Sequence, residues 1–383
     1  MSNLFERRVD VAVIGAGITG LSVAWHLLQR DVGSVVVLER SGIGAEASGV
    51  QPGGVRHQWS TRISCELAIE SVAFYEEIDK HLEPSGNPKL DRCGYLFVAD
   101  SEEELAVLDT NVRLQNALGI PSLLVTAVEA AELVPGLLTD GIVGAAYCGI
   151  DGYFDKPQAV VEGFAAAAQR AGAAVELAEV ASLVPDGSEW HLSLSTGGEM
   201  TAGQVVVAAG YGSPSLLRPL GVELPIEKEA RYLFFSEPIR ERLLEPLVVA
   251  SERRFAAKQL ANGRVLASDL DAGGDPESGA HHWRENVSEG IRSLLPVLEF
   301  VSFPMLVEGF YDITPDHQPI LGPVPGFDGL WLATGFSGHG FMIAPAVGRL
   351  VADAVGGRDI DPLTRELSIE RFSGELARER QIV

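Results

Sequence analysis

Glycines at positions 15, 17 and 20 stand at G-x-G-x-x-G spacing directly after an apolar run, Val9 to Ile14. A second apolar run, Val35 to Leu38, closes in an acid, Glu39. The residue types suit a pyrophosphate. Gly15 permits a tight turn, and Gly17 lets the backbone approach the phosphates at a helix N-terminus that favours their charge. Gly20 lets that helix lie close to its strand, and Glu39 can accept hydrogen bonds from ribose hydroxyls. Gly-rich turns also serve purely structural ends, but strand, helix, second strand and terminal acid in this order specify a dinucleotide-binding βαβ unit.

A second cluster, Gly335-Phe336-Ser337-Gly338-His339-Gly340-Phe341-Met342-Ile343-Ala344-Pro345, opens a predicted helix over 341–355. Small residues there expose backbone N–H groups, and Pro345 is expected in the first turn, where its missing donor costs little. The positive end of such a helix suits the pyrimidine edge of a flavin, stabilising the negative charge that develops at N1 and O2 when hydride reaches N5. Taken alone, the segment is equally an ordinary strand-to-helix turn.

The elements that position these turns follow from periodicity and punctuation. Ser41 to Gly54 reads as a Gly-rich loop, and Ile63, Leu67, Phe74, Ile78 and Leu82 recur at helical spacing. Ser101-x-x-Glu104 and Thr126-x-x-Glu129 are capping boxes that start two more helices. An alanine-rich helix is predicted from Pro157 to Gly172, a strand over 173–180 and a buried strand over 205–210. Residues 225–310 alternate around an Asn262-Gly263 turn as antiparallel sheet does, with Lys258 and Gln259 turned to opposite faces and Arg231-Tyr232 starting a further strand. A last buried strand, 329–335, leads into the C-terminal helix, which Gly356-Gly357 ends. The expected architecture is α/β, an FAD-binding Rossmann-like domain with an inserted antiparallel-sheet α+β substrate domain. The flavin part takes 1–80, 150–220 and 305–383, and the substrate part 81–149 and 221–304. A nucleotide domain gathered from the start, middle and end of a chain matches a flavin fold better than a simple nicotinamide dehydrogenase.

Composition narrows the classes. The chain has 383 residues, 46% hydrophobic and 21% charged, enough to bury a large cofactor. A formal net charge of -24 argues against nucleic acid or an anionic membrane surface as partner. Cys65, Cys93 and Cys148 are too scattered for a zinc site or a disulfide framework, so no metal is expected. The first strand starts too early to leave room for a signal peptide, and no apolar run is long enough to span a membrane. The expectation is a soluble, cytoplasmic protein without an integral membrane segment.

The second cluster, together with Gly309-Phe310-Tyr311-Asp312-Ile313-Thr314-Pro315-Asp316 and the run from Ala47 to Arg56, closely resembles the FAD-dependent amine and amino-acid oxidoreductase family. That family includes D-amino-acid, glycine, sarcosine and dye-linked proline oxidising enzymes, and the resemblance covers nearly the whole chain. It implies non-covalent FAD with its ADP half on Gly15, Gly17, Ile18, Thr19, Gly20, Glu39 and Arg40, near Ala47 and Ser48. The ring would lie between the Gly53-Gly54 loop and Gly335, Gly338, His339, Gly340, Phe341 and Met342. Val180 would meet the adenine through its backbone, and Ala209 and Gly210 would pass near the ribose and phosphates. The departures concern substrate and acceptor. Monomeric sarcosine oxidases place a carboxylate-holding lysine at Met342 and a flavin-linking cysteine at Gly309, and a lysine associated with oxygen activation matches Val265. These differences make a quinone, a dye or a partner protein a plausible electron acceptor.

Four residues are candidates for catalysis. Arg56 would lie beside the ring or meet a substrate carboxylate, against the alternative of a surface ion pair. His57 and His339 could orient an amine or act as a base, or simply be hydrogen-bonded. Tyr311 points into the site or packs. His281-His282 reads as an exposed loop rather than a metal pair. The expected function is oxidation of the C–N bond of an amino acid or secondary amine by hydride transfer to flavin N5, with the imine then hydrolysing. The alternatives are a flavin-binding subunit or assembly factor of a larger redox complex, with a partner subunit or homo-oligomer, and a nicotinamide dehydrogenase, which would purify colourless.

Overall fold

The structure, a computed structural model, describes residues 7–381; residues 1–6 and 382–383 of the expected flavin part lie outside the described residues. The first strand, Arg7–Ile14, runs parallel to Val35–Glu39 on one side and to Glu199–Val207 on the other. Ala174–Leu177 extends the sheet beyond Val35–Glu39, and Leu330–Thr334 extends it beyond Val205–Val207. Both faces of this sheet are covered, so its strands read as continuous apolar runs, and Val11, Ala12 and Val13 are fully buried. The strand expected over 173–180 stops at Leu177; Val180 instead opens an antiparallel hairpin, Val180–Asp186 with Glu189–Leu194.

The helix Ile18–Leu28 leaves the first strand at the glycine turn and packs on the C-terminal helix, Gly340–Val355, where Ser22 Oγ donates to the Ala344 carbonyl over 2.8 Å. Pro345 lies in the second turn of that helix, not the first. Its ring removes the N–H that the Phe341 carbonyl would accept, and the Tyr75 hydroxyl donates to that carbonyl at 2.5 Å. A buried hydroxyl from a neighbouring helix thus repairs the bond the proline breaks. The helical pattern over 63–82 is interrupted at Glu77 into Arg62–Glu76 and Ile78–Leu82.

The second sheet has the order Met305–Ile313, Glu227–Phe235, Val265–Asp269, Phe255–Gln259, Leu247–Ala250, Tyr95–Ala99, Gly144–Cys148, Leu123–Val125. It is antiparallel except where Leu247–Ala250 meets Tyr95–Ala99. The strand Met305–Ile313, placed by the sequence in the flavin part, pairs along its length with Glu227–Phe235. Lys258 and Gln259 do not divide between core and solvent: both are buried, because this hairpin is covered on both faces. His281-His282 lies not in a loop but in the helix Pro276–Leu294, which buries Trp283, Val287, Ile291 and Leu294 against the sheet. Asp275 caps that helix by accepting from Ser278 N–H at 3.1 Å, with Pro276 at its first position, a start signal present in the sequence.

Candidate flavin and substrate site

One elongated cavity of about 580 Å³ lies between the two sheets. Its wall includes Glu39, Arg40 and Val180 at the strand ends of the first sheet, then Gly15, Gly17, Ile18 and Thr19 of the first turn. It continues past Ala47, Ser48, Ala209 and Gly210 to Tyr311, Gly338, Gly340 and Phe341. Beyond them the wall is second-sheet strand, with Arg231, Leu233, Ser268 and Val307. The volume is that of a site for a large organic ligand.

The two glycine turns are shaped for backbone approach. Gly15 has φ +109, and a Cβ on it would lie 2.3 Å from the Ala208 carbonyl oxygen. A Cβ on Gly17 would meet only Ser48 Oγ, at 3.2 Å, so its cavity side is open. Glu39 also braces this turn: its carboxylate accepts from Ala16 N–H and Ser41 N–H, both at 2.8 Å. At the other end, Gly338 has φ +87, and a Cβ there would sit 2.3 Å from the Tyr311 ring. Asp312 fixes this second turn by accepting from Gly335 N–H at 2.8 Å. Burial pushes the Asp312 carboxyl up to about 6, against the pull of the surrounding backbone N–H groups.

A clasp crosses the nucleotide end. Arg40 Nη2 donates to Glu46 Oε1 and to the Tyr211 hydroxyl, each at 2.9 Å, and that hydroxyl donates to Glu46 Oε2 at 2.7 Å. All three line the cavity, Arg40 and Glu46 from the segment after the second strand and Tyr211 from a distant part of the chain. Tyr211 meets Phe310 edge-on at 5.9 Å, and Lys228 Nζ lies 3.7 Å from the Phe310 ring centroid. Of the three clasp residues, only Arg40 is among the residues singled out in the sequence.

Comparison with known proteins agrees with this arrangement. Residues 10–354 match the family described as FAD dependent oxidoreductase. The chain belongs to that family. This FAD-dependent oxidoreductase is 31% identical to the glycine oxidase of Pseudomonas aeruginosa over 92% of its own length and 96% of the relative's. It is 30% identical to FAD-dependent oxidoreductase domain-containing protein 1 of Bos taurus, over 92% and 82% of the two chains. The crystal structure of L-proline dehydrogenase from P. horikoshii superposes with a TM-score of 0.88 at 27% identity, covering 97% of this chain and 100% of that one. The α/β fold with its FAD-binding unit is therefore established for the oxidoreductase. Among its described residues no helix is long and apolar enough to cross a membrane.

Several residues expected at the flavin lie behind the cavity wall of the oxidoreductase. Gly20 serves helix packing, since a Cβ there would be 2.1 Å from the Gly15 carbonyl oxygen. Val50, Gln51 and Pro52 line the cavity where Gly53 and Gly54 were expected, and a Cβ on Gly54 would strike the Tyr95 hydroxyl at 2.3 Å. Gly335 is turned to Asp312, and Met342 packs against the cluster holding Trp59, Cys65 and Ala68. His339 meets the Trp59 ring edge-on at 4.5 Å, and burial with the Arg56 charge holds its pKa well below the usual histidine value, so it is neutral at neutral pH.

Arg56 and His57 are likewise not part of the cavity wall. Arg56 is fully buried, its guanidinium 3.8 Å from the Trp59 ring centroid, and it donates to the carbonyls of Gln58 and Gln381. His57 donates its backbone N–H to Asp151 Oδ1 at 2.7 Å, with Nδ1 2.8 Å from the same oxygen. Cys148 lies close to both, a grouping with metal-ligand geometry. However, the Asp151 carboxylate also accepts from Gln58 Nε2 at 3.2 Å, and burial pushes the Cys148 thiol up to about 12. In the structure these contacts make the group a hydrogen-bonded knot.

Lys258 is the buried lysine of the hairpin that carries Val265, and its Nζ donates to the Pro52 carbonyl at 2.6 Å. Burial pushes its pKa down to about 7. Between pH 7 and its unfolded value the unfolded chain binds the extra proton, so this lysine's contribution to stability rises with pH across that window. Lys258→Met is therefore expected to raise the melting temperature most near pH 6, with a ceiling of roughly 5 kcal/mol, and the advantage should shrink toward pH 10. Paired melting curves of parent and variant across that range measure it.

Proposed function

We propose that the protein oxidises the C–N bond of an amino acid or secondary amine, releasing an imine that hydrolyses in water. The observation that carries this reading is the single cavity that joins the Gly15 turn to the Gly338 turn and then opens onto a wall of second-sheet strands. Bound FAD would supply a two-electron acceptor for the hydride of the substrate α-carbon. Gly15, Gly17, Glu39 and Val180 hold the ADP half, and the clasp of Arg40, Glu46 and Tyr211 covers it.

Gly338, Gly340 and Phe341 bring the N-terminus of the Gly340–Val355 helix to the ring end, where its partial positive charge favours the reduced flavin. Phe336, Phe341 and Val50 exclude water around it. Tyr311 stays protonated, because burial raises its pKa, so it acts as an orienting wall rather than a base. A non-covalent flavin is supported at Gly309, which has no side chain to form a link. The expected division of the chain into a flavin part and a substrate part belongs to this reading.

The purified protein should be yellow, and anaerobic mixing with a panel of amino acids and N-alkyl amino acids should bleach the flavin band within seconds for at least one of them. A spectrum unmoved by the whole panel would overturn the reading in favour of a flavin-binding subunit of a larger complex.

A further inference from the structure

The residues that suggested a carboxylate anchor do not provide one at the cavity: position 342 is Met, and Arg56, bound to two peptide carbonyls, lies outside the cavity wall. A different arginine stands in the wall. Arg231 lies directly across from Gly309 on the neighbouring strand, and Leu233 lies across from Val307, so these four share a sheet face with Tyr311. The Arg231 guanidinium is 5.4 Å from the Tyr311 ring centroid. Its own bonds, to Glu229 and to the Ala230 carbonyl, both leave from Nη1. The Glu229 side chain is 46% exposed against 22% for Arg231, so this ion pair is partly screened by solvent. Beside Arg231 the wall is mainly apolar, with Leu233, Val307 and Leu270.

We propose that Arg231 is the carboxylate anchor and that the substrate class is α-amino acids with apolar side chains. The proposal rests on the oxidation reading above. A guanidinium held within cation–π range of an aromatic face is biased toward that side, and two parallel N–H donors match a carboxylate. The Leu233, Val307 and Leu270 surface takes the side chain, while Tyr311 and the Gly338 turn flank the remaining α-carbon substituents. A simple amine leaves the arginine without its anion and lacks this orientation.

The test compares cyclohexanecarboxylate with cyclohexanecarboxamide, which differ in charge but little in shape, by calorimetric titration of the flavin-loaded protein. The parent should bind the acid at least about tenfold more tightly than the amide, and in Arg231→Met the ratio should fall to about one. Arg231→Gln, closer in length, serves as a second variant, and flavin content with melting temperature reports that each is folded. Absence of an acid preference in the parent, or its survival in the folded variants, overturns the anchor. Bleaching by amino acids with an unchanged preference in Arg231→Met sinks the anchor alone. An Arg231-dependent preference in a protein that no amino acid bleaches supports the anchor and sinks the oxidation.

Discussion

Gly15→Ala protein should emerge from purification colourless and folded, with flavin affinity reduced by at least about 100-fold, or roughly 3 kcal/mol. Two effects combine there. The φ of +109 is one that alanine tolerates poorly, and the new Cβ would lie 2.3 Å from the Ala208 carbonyl oxygen, a backbone atom that cannot swing aside. The turn must therefore open, displacing the N–H groups and the Glu39 brace that shape the phosphate site. Gly17→Ala is the informative contrast. Its Cβ meets only the Ser48 hydroxyl within the protein, so any loss of flavin there reports the approach of the pyrophosphate itself. Titration of the two apoproteins with FAD measures both, and stoichiometric FAD on purified Gly15→Ala would contradict the assignment of this turn.

The second large effect is expected far from any chemistry. Glu379 is fully buried, and its carboxylate accepts from the Ser60 and Thr61 backbone N–H groups, from both of their hydroxyls and from Gln381 N–H. It thereby fixes the C-terminal segment at the start of the helix Arg62–Glu76. Arg56 holds the same segment through the Gln381 carbonyl; burial presses its pKa down, and the Glu379 charge is the largest influence opposing that. Removing Arg56 leaves the Gln58 and Gln381 carbonyls without their buried donor, and removing the Glu379 carboxylate orphans the Ser60, Thr61 and Gln381 N–H groups. Arg56→Met and Glu379→Ala should each lower the unfolding free energy by about 3–5 kcal/mol. Arg56→Lys should restore little, since an ammonium cannot place two planar donors on two carbonyls. Denaturant titration reads these losses. An Arg56→Met protein of unaltered stability that loses its preference for acids over amides would return Arg56 to the substrate.

The parts of this site legible in the sequence are those set by local backbone needs. Gly15 and Gly338 announce themselves because a positive φ favours glycine, Gly17 because a ligand must approach its backbone closely, and Glu39 because it closes a buried apolar run. Arg56 does not, because a two-residue strand, Gly54–Val55, carries no periodicity that says which side of the loop a guanidinium will take. Its partner Gln381 lies 325 positions away. Arg231 could be placed on a strand but not on a face, since a register slip of one residue exchanges the faces. Tyr211 and Glu46 carry no motif at all; only the folded chain brings them to Arg40. The Pro276–Leu294 helix was legible in Asp275-Pro276, yet its adjacent histidines resemble loop residues until the helix is seen to turn them toward solvent.

The first sheet places Leu330–Thr334 beside Glu199–Val207, and the wall of the cavity needs Gly338, Gly340 and Phe341. A ribosome making this chain in order therefore finishes the N-terminal βαβ unit long before the last wall of its pocket has been synthesised. Such distant pairing is slow to form. The nascent chain cannot close this cavity until the residues up to Phe341 have been made.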